Sequence, residues 1–358
     1  MTRANSPAQR GYRMAAEWEP HSATWLAWPH NHATWPQHLV QVKTIYLQMM
    51  AALLPHEQVH LLINDDGMAA QVAQQIAAHR LNTDHLILHL CPTVDAWLRD
   101  SGPTFLTPVD TQNAPAPALI DWQFNAWGNK YPEMLSDNHL SQRLAEMLQI
   151  QRFEPAIVLE GGSIDVNGVG SCLTTEQCLL NPNRNPNLTR SDIERYLYNF
   201  LRVRHVIWLG EGIAGDDTDG HVDDIARFVD PSTVVCALTD DPHDVNYAVL
   251  QDNYRRLQAT TDQNGRPLQV ITLPMPGPLW ADDEPLPASY ANFYIANGVV
   301  LVPTYQHPND HLALDVLQRV FPQRRVVGIP CEPLVWGLGA IHCVTQQQPA
   351  QPSAAPGS

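Results

Sequence analysis

The stretch PQHLVQVKTIYLQMMAALLPHEQVHLLI, residues 36–63, carries a helical pattern and then a strand pattern in one short span. Pro36 suits the first helical position, where an N–H would go unpaired anyway. Apolar side chains recur at helical spacing until Pro55 stops the run. Val59–Ile63 follows as a short, β-rich apolar segment. The alternation continues outward. Ser191 with Glu194 reads as a capping box opening SDIERYLYNFL. Asn309 reads as the cap of a helix from Asp310 to Val320, and Asp244–Ala259 as an amphipathic helix. Leu86–Leu90, His205–Leu209, Thr233–Ala237, Gln269–Thr272 and Val299–Val302 are the matching strand segments. Helices and strands mixed from end to end predict an α/β fold. Residues 1–11 are polar and 349–358 small and Pro-rich, so both read as disordered tails around a single domain at 12–348.

Bulk composition excludes several function classes. A net charge of −16 argues against nucleic acid, whose phosphates need a basic footprint, and suits a small cation. The 6 cysteines include no C-x-x-C pair, so neither a disulfide scaffold nor a thiolate zinc site is expected. No apolar run approaches a membrane span, and MTRANSPAQRG lacks the apolar core of a signal peptide. The expectation is a reduced, cytoplasmic protein.

Four motifs carry chemistry: WLRDSGP at 97–103, LEGGSID at 159–165, GDDTDGHVDDIARF at 215–228 and IHCVTQQQP at 341–349. Asp100 precedes a turn signal. Glu160 ends the apolar segment IVLE, read as a strand, and opens onto Gly161-Gly162. His221 lies among Asp216, Asp217, Asp219, Asp223 and Asp224, carboxylates that repel one another unless a cation sits among them. The spacing does not fit an EF-hand loop. In HVD, a strand would point His221 and Asp223 to the same side. Cys343 follows the glycines of GLGAIHC. A lone cysteine is usually a small buried hydrophobe, and it becomes a nucleophile only where its pKa is lowered. On these residues alone both roles stay open. Trp97 and Trp127 suit either a pocket wall or the core. Asp100, Glu160 and His221 lie 60 and 61 residues apart, and Cys343 a further 122, which hints at a repeating unit without a sequence repeat.

Together with FNAWGNKYP at 124–132, EGGSIDVNGVGSCLTTEQCLLNPNRNP at 160–186 and NFYIANG at 292–298, these motifs resemble the agmatine deiminase family of the guanidine-modifying (pentein) superfamily. The resemblance covers nearly the whole chain. It implies a five-bladed pseudosymmetric α/β propeller of ββαβ units, a small cationic guanidine as substrate, no metal, no cofactor and a homo-oligomer. It implies Cys343 as nucleophile, His221 as general acid and base, Asp100 and Asp223 gripping the guanidinium, and Glu160 assisting. For the distal end of the substrate, Asp217 and Trp97 are the expected contacts. Arg99 or Arg184 would be needed if the substrate were arginine or peptidyl-arginine. A metal-dependent hydrolase built on the Asp/His cluster is the rival from a different class. A non-catalytic polyamine- or guanidine-binding protein is another. The chain departs from the family pattern at Leu338 and Ala340, which replace a glycine and an asparagine, and at Asn129, where glycine is frequent. The segment between Leu279 and Asn292 is also short.

Overall fold

A computed structural model describes residues 6–110 and 115–351. Its strands form five sheets built on one plan, plus a small hairpin at Trp280–Ala281 and Glu284–Pro285. In each sheet a first strand pairs antiparallel with a second. A helix then leads to a third strand parallel to the second. One unit runs Tyr294–Ile295, Val299–Thr304, helix Asp310–Val320 and Arg325–Pro330. Another runs Ala226–Asp230, Thr233–Leu238, helix Tyr247–Ala259 and Gln269–Pro274. A third uses Asp165–Val166, Ser171–Thr175, helix Arg190–Leu201 and His205–Leu209. A fourth uses Thr104–Pro108, Ala118–Ile120, helix Leu140–Leu148 and Gln151–Phe153, with Tyr12–Arg13 on its edge.

The remaining unit draws on both ends of the chain. Gln346–Pro349 pairs antiparallel with His21–Ala27, followed by helix Leu39–Leu53 and the parallel strand Gln58–Ile63. A further helix, Asp66–His79, leads to an outer strand, Leu86–Leu90. Each helix buries one stripe on its sheet. Leu39, Val42, Ile45, Tyr46, Met49, Met50 and Leu53 form that stripe in the first helix. Full burial of each such side chain is worth roughly 1.5–3 kcal/mol, which is why the helical spacing of apolar residues locates the element.

Several local expectations shift. The first helix begins at Leu39 because Gln37 takes a left-handed φ of 70° after Pro36. The capping box is Thr189 with Asp192, not Ser191 with Glu194. Asp192 N–H donates to the Thr189 hydroxyl, and the Asp192 carboxylate accepts from Thr189 N–H. Glu194 instead accepts from Trp208 Nε1. Asn309 precedes its helix but turns its amide to Met275 O. The helix expected from Asp244 begins at Tyr247.

The expected tails are partly ordered. Residues 6–11 form a turn in which Ala8 is buried and its N–H donates to Asn199 O. The turn sets Tyr12 opposite Pro108. Pro349 belongs to the closing strand, and Ala350 N–H donates to Pro20 O. Residues 1–5 and 352–358 of those tails lie outside the described residues. No helix of the described residues is long and apolar enough to cross a membrane.

Candidate active site

The 61-residue rhythm has a structural origin. Each unit is entered through a short segment just before its first strand, and the singled-out residues sit on these segments. Asp100 precedes Thr104, Glu160 precedes Asp165, His221 and Asp223 precede Ala226, and Cys343 precedes Gln346. Asn292 occupies the same place before Tyr294. The entry segments bond to one another in sequence. Gly162 N–H donates to Asp100 Oδ1 at 2.9 Å. The Glu160 and His221 segments are joined through the strand Ser171–Thr175, where the Thr174 hydroxyl donates to Ser163 O at 2.8 Å and the Thr175 hydroxyl to Gly220 O at 2.6 Å. Asn292 Nδ2 donates to Asp224 Oδ1 at 3.0 Å, and His342 N–H to Asn292 O at 3.2 Å. Arg99 N–H donates to Cys343 O at 3.1 Å, which joins the last segment to the first.

Two of these segments fold differently from expectation. Val222–Asp224 is a 3-10 turn rather than a strand, with His221 as its extended N-cap. Glu160 follows a single β-bridge at Val158 and caps the 3-10 turn Gly161–Ser163. The convergence survives because Gly162 has no side chain. A Cβ there would lie 2.6 Å from His221 Nδ1, 3.0 Å from Asp100 Oδ1 and 3.1 Å from Asp223 Oδ2. Asp100, His221 and Asp223 therefore surround one point.

Cys343 completes the group. Its Sγ lies 3.8 Å from Asp223 Oδ2 and accepts from Asn292 Nδ2 at 3.1 Å. Asp100 is held by Gly162 N–H and by Trp127 Nε1 at 2.9 Å. Such bonds to a charged group are worth roughly 1.5–3 kcal/mol each. Asp223 Oδ2 receives His342 Nδ1 at 2.6 Å, leaving its buried Oδ1 without a partner. His342 in turn donates through Nε2 to Glu17 Oε2 at 2.8 Å. Glu17 also meets Arg227 at 2.9 Å and Arg99 at 3.5 Å.

The charges follow from this wiring. Burial opposes ionisation of Asp223, but the His342 bond and charge, then His221, hold its carboxyl below the usual range. Burial likewise opposes the Glu17 charge, and Arg227, His342 and Arg99 outweigh it. Burial, then Asp223 and Asp216, push Asp224 well up. For His221 burial disfavours the imidazolium. Asp100, the Cys178 sulfur and Glu160 reverse that and raise its pKa well above the ordinary value. Burial pushes the Cys343 thiol well up, and Asp223, Asp224 and Asp100 push it further. The empty site thus keeps the sulfur protonated, and a cation placed among the carboxylates removes the penalty on thiolate.

Cys343 and Asp100 line a cavity of about 330 Å³. Its walls include Trp97, Trp127, Met134, Trp336 and Leu338, with Glu133 and Asp217 as further acids. Trp97 fits closely because Gly339 lacks a Cβ, which would lie 2.5 Å from the indole. Asp217 accepts from the Tyr131 hydroxyl. Trp97 and Asp217 thus line the cavity as expected.

Arg99 does not. Its guanidinium is buried and donates to His342 O at 3.3 Å and Gln347 Oε1 at 2.7 Å, away from the cavity. Arg184 is also committed, to Glu160 Oε1 at 2.6 Å, Thr218 O and Asp219. Among the described residues no lysine or arginine lines the cavity.

The acids around His221 are not one cation cage. Asp216 accepts from Thr218, Gly220 and His221 N–H groups, and Asp219 pairs with Lys130 and Arg184. Asn292, His342 and Glu17 were not among the expected site residues. The first two stand inside motifs already noted, NFYIANG and IHC, and Glu17 inside MAAEWEP at 14–20, where the stretch that carries the resemblance begins. Asn129 has a left-handed φ of 64°, which explains a glycine preference there and why asparagine is tolerated.

The fold is consistent with that of the guanidine-modifying, or pentein, class of enzymes. The chain belongs to the Porphyromonas-type peptidyl-arginine deiminase family, whose sequence pattern matches residues 13–349. An agmatine deiminase of Medicago truncatula is 39% identical over 375 residues, spanning 97% of this chain and 98% of that one. A solved structure of the agmatine deiminase of Enterococcus faecalis superposes with a TM-score of 0.88 at 34% identity, covering 97% and 98% of the two chains. A C. jejuni agmatine deiminase solved with substrate bound gives 0.84 at 28% identity, covering 95% and 97%.

Proposed function

We propose that this chain hydrolyses agmatine to N-carbamoylputrescine and ammonia through a covalent thiouronium on Cys343. The observation that carries the reading is the meeting of Cys343, Asp100, His221 and Asp223 beside an acidic, aromatic cavity that Cys343 and Asp100 line. The near-full-length likeness to agmatine deiminases supports it.

A guanidinium is a poor electrophile. Asp100 and Asp223 orient it through paired N–H···O bonds and balance its charge. As the cation settles, the Cys343 thiol gives up its proton to solvent, and the thiolate attacks the central carbon. His221, held as imidazolium, donates a proton to the departing nitrogen, and ammonia leaves. The thiouronium remains on sulfur. Neutral His221 then takes a proton from water as that water attacks the same carbon. Collapse returns Cys343 as thiol, carrying the hydroxyl proton, and frees the ureido product. Glu160 orients His221 from behind, and Asn292 positions the sulfur.

Asp217 and Trp97 receive the distal ammonium of agmatine, the ring face attracting the cation. The α-carboxylate of arginine would instead meet Asp217 and Glu133 with no basic partner, which disfavours that substrate. We further propose that the five units close around one axis as a propeller, with 12–348 acting as a single catalytic domain. The ring of bonds between entry segments supports this arrangement.

Intact-mass spectrometry of protein quenched during agmatine turnover tests the chemistry. An adduct should map to the peptide containing Cys343. Cys343→Ser should lose the adduct and at least about a thousandfold of turnover while melting unchanged. Wild-type ammonia release from that variant would sink the assignment.

A further inference from the structure

Behind His221, away from the reacting cavity, sits a thiol that the mechanism leaves idle. Cys178 is fully buried within the 176–179 helical turn, and its N–H donates to the Thr175 hydroxyl. One ligand atom each from Glu160, Cys178 and His221 lie within 4.8 Å of one another. Two atoms of this trio lack partners although buried, Glu160 Oε2 and His221 Nε2. Arg184 occupies only the other carboxylate oxygen, Glu160 Oε1.

We propose that Glu160, Cys178 and His221 bind a thiophilic divalent cation such as Zn²⁺, and that its arrival shuts the enzyme off. One carboxylate oxygen, one sulfur and one imidazole nitrogen form a donor set suited to tetrahedral zinc, with the fourth position open. Ligand atoms in such a site stand roughly 3.5 Å apart, so the trio contracts by at most about an ångström. Cys178 releases its thiol proton and imidazolium His221 its second ring proton to solvent. The ion's entry is through the acidic cavity, past Asp100 and Asp217. Bound at Nε2, it replaces the proton on that ring nitrogen, so His221 no longer forms the imidazolium whose Nδ1 faces Asp100 at 3.7 Å. This inhibitory half rests on the role proposed above for His221, whereas binding itself does not.

Titrating metal-stripped full-length protein with Zn²⁺ and with Co²⁺ tests it. A single Zn²⁺ per chain should bind as ammonia release falls to background, with Mg²⁺ without effect. Co²⁺ should produce a near-ultraviolet thiolate-to-cobalt absorption band. That band should persist in Cys343→Ser and vanish in both Cys178→Ala and Cys178→Ser. Zn²⁺ affinity in those two variants should fall at least roughly tenfold, the loss typical of removing even an outer-shell partner. Circular dichroism of the Cys178 variants checks that they fold. A band lost in Cys343→Ser but kept in a folded Cys178 variant would overturn the site. Absence of binding at millimolar Zn²⁺ would overturn it equally. Stoichiometric Zn²⁺ with full turnover would overturn the inhibitory half and the role of His221, leaving the site.

Discussion

At Cys343 the structure reverses a simple expectation about reactive thiols. A nucleophilic cysteine usually sits in a positive setting. This one is buried beside Asp223, with Asp224 and Asp100 also acting to raise its pKa. Its reactivity is therefore conditional on a cation. In substrate-free protein, the pH midpoint for iodoacetamide alkylation of Cys343 should lie above the ordinary thiol value of 9.0. Peptide mapping after timed alkylation reads this directly, and a midpoint below that value would contradict the electrostatic account. His342 belongs to the same logic. It stands between Asp223 and Glu17 and so keeps one gripping carboxylate ionised.

Among the elements, the ends of helices and the tight turns decide most. The 190–201 helix is capped by Thr189 and Asp192 acting on each other's N–H groups. Thr189→Ala should cost about 1 kcal/mol in urea unfolding, and Ser191→Ala close to nothing. The reverse order would place the cap where the sequence first suggests it. Leu338 offers a second case. It holds a left-handed φ of 69° on the cavity wall, a conformation that favours glycine. Strain of roughly 1–2 kcal/mol is offset by its partial burial against the core. Leu338→Gly should change stability by less than about 1 kcal/mol, relief of strain balancing lost packing. Leu338→Val should destabilise by more than that, because a β-branched residue resists this conformation most. Thermal melting of both variants checks the pair.

For the whole molecule, one source of acid sensitivity lies in the unit that joins the two chain ends. His60 and His89 share a 2.9 Å bond beside Trp25. Burial, then His89, lowers the His60 pKa from 6.5 to about 4. The unfolded chain therefore binds more protons than the folded one between these values. Stability from His60 is complete above pH 6.5 and is lost as pH falls toward 4. Asp95 works the other way, since burial raises its pKa to about 6 and the folded state holds its proton longer. Comparing wild type with His60→Gln isolates the histidine. The stability gap between them should shift in the variant's favour from pH 7 to pH 5, read as urea midpoints. A gap independent of pH would refute the assignment.

The division between sequence and tertiary structure follows from range. Helical and strand periodicity depends on neighbours a few residues apart, so Leu86–Leu90 and His205–Leu209 were legible to the residue. Asp100, Glu160, His221 and Cys343 stand in dense local motifs, which is why they stood out as candidates. The roughly 61-residue spacing was visible too, but its meaning lay in strand pairing that no single segment displays. Only the assembled chain turned Arg99 away from the cavity, brought Glu17 onto His342 and set Asn292 against the Cys343 sulfur. Those contacts join residues between 51 and 325 positions apart. Which partner satisfies a buried charge depends on what the fold carries to it, and local sequence holds no record of that.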